Sequence, residues 1–235
     1  MRKSILGLSA LSLVAIATPS FAQEESGPIS FTGSVTLASD YRFRGFSQSN
    51  QNAAIQGGIT ATHESGLYVG TWASSIGFAG NIEVDYFAGY ATDLNDNLNL
   101  DVGITYYVYP KDGGLTSNVF EPYVNLTTTA GPLTLKGGVN YAWSQDSLGG
   151  NDAVYFHLEP TVAIPNTPLS LNGHVGYSVS DSFLGGFDGE VFDYSVGVSA
   201  NYKGLTLGAA LVGTDERGSP AGADTAVVFT LGASF

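Results

Sequence analysis

The last eleven residues, Thr225 to Phe235, constrain the fold more than any other segment. Val227, Phe229, Leu231, Ala233 and Phe235 fall at every second position, with Val228, Thr230, Gly232 and Ser234 between them. Side chains alternate across a strand, so the segment has one apolar face and one mostly small or polar face. The same period recurs upstream. Ile82, Val84, Tyr86, Ala88 and Tyr90 alternate with Glu83, Asp85, Phe87 and Gly89. Leu98, Leu100, Val102, Ile104, Tyr106 and Val108 alternate with Asn99, Asp101, Gly103, Thr105, Tyr107 and Tyr109. Residues 133–143 and 192–202 repeat the pattern. After the first 22 residues no segment carries a convincing helical period, and no apolar stretch is long enough for a helical span.

The alternation predicts twelve strands, near 31–40, 52–62, 66–76, 82–92, 97–109, 118–128, 132–144, 153–164, 168–180, 190–202, 204–214 and 224–235. The connections alternate too. His63-Glu64-Ser65, Asp93 to Asp96, Thr129-Ala130-Gly131, Pro165-Asn166-Thr167 and Lys203 are short. Tyr41 to Gln51, Pro110 to Ser117, Gln145 to Asp152, Asp181 to Gly189 and Asp215 to Ala223 are longer; Gly77 to Asn81 is the exception. An even strand count with short turns at one end and longer loops at the other is the pattern of transmembrane barrels, whose termini share the short-turn end. An amphipathic last strand ending in Phe resembles the closing strand of bacterial outer-membrane barrels. The fold expected is an all-β, antiparallel transmembrane barrel of about twelve strands, with Thr225 to Phe235 closing on Phe31 to Asp40.

The start of the chain fits that destination. Arg2 and Lys3 precede an apolar run, Ile5 to Ala17, and Ser20-Phe21-Ala22 forms a small-x-small cleavage site after Pro19. Residues 1–22 therefore read as a cleaved signal peptide, 23–30 as a short segment, and 31–235 as the barrel. Without Arg2 and Lys3, six basic residues face 21 acidic ones, a net charge of −15. This acidic balance argues against nucleic acid as a partner. Charged residues make up 12% of the chain, against about 25% in soluble domains. A soluble barrel would need Lys and Glu on its polar face, where this chain has mostly Gly, Ser, Thr and Asn. Tyr41, Trp72, Tyr90, Tyr107, Tyr109, Trp143, Tyr177 and Tyr202 lie near strand ends, where interfacial aromatic girdles are expected. There is no cysteine, hence no disulfide and no lipid attachment.

Ser39-Asp40-Tyr41-Arg42-Phe43-Arg44-Gly45, Ser47-Gln48 and Gln56-Gly57-Gly58 resemble the TorF-family porins. The resemblance continues through residues 63–74, 83–90 and 101–110, so specific motifs cover 39–110. It implies an outer-membrane barrel and adds little about substrate.

Inward parity picks out Glu83, Asp85, Asp101, Lys136, His157, Glu159, His174 and Asp193 as lumen residues. These read as the lining of a cation-preferring aqueous path or as a salt-bridged plug. Eight strands leave room only for side chains and sixteen leave a channel, so twelve leaves both open. Arg42 and Arg44 read as an anion clamp at the constriction, or as braces between the first loop and its acidic neighbours; bracing fits better. Asp146, Asp152, Asp181, Asp188 and Glu190 crowd the longer loops without metal-ligand spacing. Asp93-x-Asn95-x-Asn97 begins like an EF-hand loop, but Leu98 and Ile104 stand where it needs Gly and Glu. No nucleophile motif surrounds a serine near His63, His157 or His174, so no enzyme activity is expected. No cofactor or metal is expected. The partners expected are outer-membrane lipid, lipopolysaccharide, the barrel assembly machinery and small polar solutes or ions. The function expected is passive passage of such solutes with a mild cation preference. The alternative is a closed barrel that binds partners through its loops.

Overall fold

The computed structural model describes residues 27–110, 117–216 and 222–235; the signal-peptide reading lies outside them. Twelve long strands form the wall: β1 (Ile29–Ala38), β4 (Ala54–His63), β5 (Leu67–Ser75), β6 (Ile82–Asn95), β7 (Leu98–Val108), β8 (Val119–Ala130), β9 (Leu133–Ala142), β10 (Ala153–Ala163), β11 (Leu169–Ser180), β12 (Glu190–Tyr202), β13 (Leu205–Thr214) and β14 (Ala226–Ser234). Two further strands, β2 (Arg42–Phe43) and β3 (Phe46–Ser47), form a small hairpin inside the first loop. Each wall strand pairs antiparallel with its neighbours, and β14 closes the barrel on β1.

Closure follows from the terminal alternation. β1 and β14 run in register from Ser34↔Ser234 to Ala38↔Thr230. Beyond that ladder, Gly33 and Phe235 exchange backbone hydrogen bonds, Gly33 N to Phe235 O at 2.7 Å and Phe235 N to Gly33 O at 2.9 Å. The Phe235 ring lies over Gly33, where a Cβ would sit 2.6 Å from a ring carbon. Glycine therefore lets the last side chain lie across the seam.

The barrel has one short-turn end and one loop end. Two-residue connections join β6 to β7, β8 to β9 and β12 to β13. The last is Lys203-Gly204, with φ of 51° and 82°, a primed turn whose twist suits a hairpin. At the other end, 3-10 turns at Ala79–Asn81, Asp146–Leu148 and Phe183–Gly185 shape three of the loops.

The polarity is that of a soluble protein turned outward. Large apolar side chains cover the exterior, including Phe31, Ile55, Leu67, Val69, Val196, Leu207 and Phe229, while Glu83, Asp85, Asp101, Glu121, Asn125 and Asp193 are buried within. The girdle expectation holds for Tyr90, Trp143, Tyr177 and Tyr202, which are exposed, and fails for four others. Trp72 and Tyr107 both pair with the inward Asp85, so their rings enter the lumen. Tyr41 packs edge-on to Trp72 at 5.5 Å, and Tyr109 packs beside both loop-end apolar clusters. Parity along the strand, rather than nearness to its end, decides which way an aromatic faces.

Candidate functional site in the barrel lumen

All eight lumen residues read from parity face inward, and the structure adds a centrepiece that spacing did not reveal. The first loop folds into the barrel as the β2–β3 hairpin. Its turn is Arg44-Gly45, with φ of 48° and 83°. A non-glycine residue at positive φ is uncommon, and this turn carries neither Asn nor Asp to announce it. Gly45 lies flat against β13, where an added Cβ would overlap Thr214 and the Gly213 carbonyl. Two loop-end apolar clusters flank the hairpin. Tyr107, Val119, Ala142, Leu148 and Ala153 form one, Tyr41, Ala54 and Ile76 the other, and Phe43 packs against both.

The two arginines do different work. Arg42 Nε contacts Asp40 Oδ2 at 2.5 Å. Its Nη1 donates to the carbonyls of Gly45, Gly222 and Asp224 at 3.0, 2.6 and 3.0 Å. It therefore ties the first loop to the last. Arg44 projects across the lumen, where Nη2 donates to Glu121 Oε1 at 2.6 Å. Its guanidinium lies 3.9 Å from the Tyr155 ring centroid and 4.9 Å from that of Phe43. Both side chains are buried. Bracing, the favoured expectation for the pair, describes Arg42; Arg44 braces and also occupies the lumen.

Like Asp40 in the first loop, Glu121 is a lumen residue that the sequence reading missed. Its Oε2 accepts from Tyr107 OH and Asn140 Nδ2, both at 3.1 Å. The dyad Val119, Glu121, Tyr123, Asn125, Thr127 was available to find it, since that face is buried throughout β8. On the same wall Tyr41 OH donates to Glu83 Oε1 at 2.8 Å. Tyr68 OH donates to Asp101 Oδ1 at 2.6 Å and also meets Tyr123 OH. Burial, then the neighbouring Glu83 and Asp85 charges, pushes the loop phenol of Tyr41 well above its ordinary range.

The adjoining wall, β9 to β12, carries a mixed cluster. The rings of Tyr155, His157 and His174 stack on one another. His174 Nε2 lies 2.8 Å from Asp193 Oδ1, and Tyr155 OH donates to Asp193 Oδ2 at 3.0 Å. Glu159 Oε1 gathers His157 Nδ1 at 2.9 Å, Lys136 Nζ at 3.7 Å and His174 Nδ1 at 4.0 Å. The His157 contact is an ion pair when the imidazole is protonated. His157 Nε2 contacts Asn125 Oδ1 at 3.1 Å, linking the two walls.

Among the described residues the lumen holds seven carboxylates, Asp40, Glu83, Asp85, Asp101, Glu121, Glu159 and Asp193, against Arg42, Arg44 and Lys136. Beside the hairpin tip the free space is about 70 Å³, bordered by Arg42, Arg44, Tyr155, Glu159, His174 and Asp193. That is room for only a few waters. The arrangement can hold water and small ions along a charged wall.

Residues 22–235 match the family described as bacterial protein of unknown function (Gcw_chp), and the chain belongs to it. No curated protein sequence matches it significantly. Among solved structures it is similar to the NanC porin, with a TM-score of 0.61 at 13% identity, covering 88% of this chain and 99% of that one. The KdgM porin gives 0.61 at 8% identity, covering 87% and 98%. KdgM in complex with disordered oligogalacturonate gives 0.55 at 8% identity, covering 87% and 97%. At these identities the likeness establishes the shared twelve-stranded fold.

Proposed function

We propose that this family member is a porin-like channel of the bacterial outer membrane, passing small polar solutes or ions with a mild preference for cations. The observation that carries the reading is inverted polarity, an apolar exterior around a lumen of buried carboxylates. Such a wall is stable where lipid meets its outside, and closure leaves no strand edge unpaired in lipid. The fold it shares with two porins supports the reading. One of those porins was solved with an oligogalacturonate. A polyanion of that kind would meet seven carboxylates and three fixed cations here, so smaller solutes and cations suit this lumen better.

On this reading residues 1–22 are a removed export signal, 23–30 a short lead-in, and 31–235 the barrel. The barrel assembly machinery would insert it, and lipid and lipopolysaccharide would surround it. The motif around Arg42 and Arg44 supports TorF-family porin as the finer family name. The activity is passage rather than catalysis. Planar-bilayer recording tests the proposal. Discrete channel events with potassium more permeant than chloride support it, and well-folded barrel that yields no events overturns it.

A second reading, a closed barrel binding partners through its outer loops, draws on the inserted hairpin and the small space left beside Arg44. The same recording separates the two.

A further inference from the structure

Glu83 and Asp85 lie one dyad apart on β6, both facing the lumen, and are only 2% and 3% exposed. Two acidic groups, Glu83 and Glu121, act on Asp85 through their charge. Arg44 serves this wall as a cation, and Glu121 takes it at 2.6 Å. The phenol hydrogens are committed as well: Tyr41 donates to Glu83 and Tyr107 to Glu121, and Tyr109 bonds to Glu83. Asp85 Oδ1 is left buried with no hydrogen-bond partner among the described residues. A buried carboxylate oxygen without a partner, beside two more carboxyl groups, is strongly unfavourable as a lone anion, so Asp85 must take up either a proton or a cation.

The donor set says which charge fits. Every candidate ligand atom is an oxygen. The carboxylates of Asp85 and Glu83 are negative, and phenols that have given away their hydrogens keep lone pairs free to accept. Oxygen-only sites favour hard cations. Glu121 is taken by Arg44, which leaves two carboxylates and neutral oxygens, a low negative charge for a multivalent ion. We propose that Asp85, with Glu83, binds a small monovalent cation of the potassium class at the loop end of the lumen. This deepens the channel reading and rests on it in making the ion a permeant one.

Crystals of the refolded barrel grown in rubidium chloride test the site through the anomalous signal of rubidium. Density beside Asp85 in the native chain, lost in Asp85→Asn, supports it. Native crystals without that density overturn it, and an infrared carboxylic-acid band removed by Asp85→Asn would then identify a proton as the balancing charge. Bilayer recording keeps the two proposals apart. Rubidium at Asp85 in a barrel that never conducts removes the channel and leaves the site, and a conducting barrel without rubidium density does the reverse. Where both hold, Asp85→Asn lowers the potassium-to-chloride permeability ratio several-fold.

Discussion

Arg44→Ala removes the side chain that holds the hairpin tip across the lumen. Arg44 gives Glu121 a charge-assisted hydrogen bond at 2.6 Å and stacks over Tyr155 at 3.9 Å. The first is worth about 1.5–3 kcal/mol, and a desolvated cation–π contact adds about 2 kcal/mol. The sum, about 3–5 kcal/mol, agrees with the usual cost of breaking a buried ion pair from one side. Solvent screens little of it, since the two side chains are 7% and 2% exposed. Urea unfolding in detergent micelles should register that loss. Glu121→Gln should cost less, because Arg44 keeps Tyr155 and a neutral acceptor. The double variant should fall short of additivity by about 1–3 kcal/mol. The same contact narrows the lumen, so Arg44→Ala should also raise single-channel conductance. Arg44→Lys should fall between, since lysine keeps the charge but loses the planar stack. Unchanged conductance together with an unchanged unfolding midpoint would refute the role given to Arg44. Lower stability with native conductance would leave it a brace and nothing more.

Gly45→Ala places a methyl group against Thr214 at a φ of +83° and should unseat the hairpin by about 1–3 kcal/mol. Trypsin added to reconstituted barrel should then cut at Arg42 or Arg44, sites protected in the native chain. Gly33→Val should displace the Phe235 ring from the seam; heat-modifiable gel migration would report less closed barrel, and native-like yield would count against a packing role for that ring. Glu159→Gln removes the carboxylate that gathers Lys136, His157 and His174. The reversal potential in a potassium chloride gradient should move toward anions, and Lys136→Gln should move it the other way.

Period-two alternation carries a great deal because a barrel wall has only two environments. Each predicted strand matches a wall strand to within about three residues; of the parity-selected residues Glu83, Asp85, Asp101, His174 and Asp193 are buried, and Lys136, His157 and Glu159 join His174 in one inward cluster. What parity cannot read is a segment that leaves the wall. Tyr41 to Gln51 reads as loop, and its two-residue strands are too short to show any period. The Arg44-Gly45 turn is hidden further, because arginine at a positive φ is held there by Glu121 and Tyr155, both distant in sequence. Trp72 and Tyr107 turn inward for a reason that is legible, since both pair with the inward Asp85. Parity along the strand sets their facing, and nearness to a strand end does not override it.

The inserted hairpin also answers a problem of size. An eight-stranded barrel is just wide enough for its wall side chains to fill, and twelve strands enclose a wider lumen. Carboxylates stranded on such a wall need either water or a partner delivered from elsewhere. Glu121 receives its cation from a loop 77 residues away in sequence, and Arg42 fixes that loop to the opposite end of the chain. Asp85, on the same wall, receives no such partner from the described residues. A lumen that neutralises one carboxylate with its own arginine and leaves another unpaired is suited to take a mobile cation at the second. The fixed pair and the unpaired acid are therefore two parts of one arrangement. If so, removing Arg44 should change the rate of passage more than its selectivity, and removing the Asp85 charge should change selectivity more than rate.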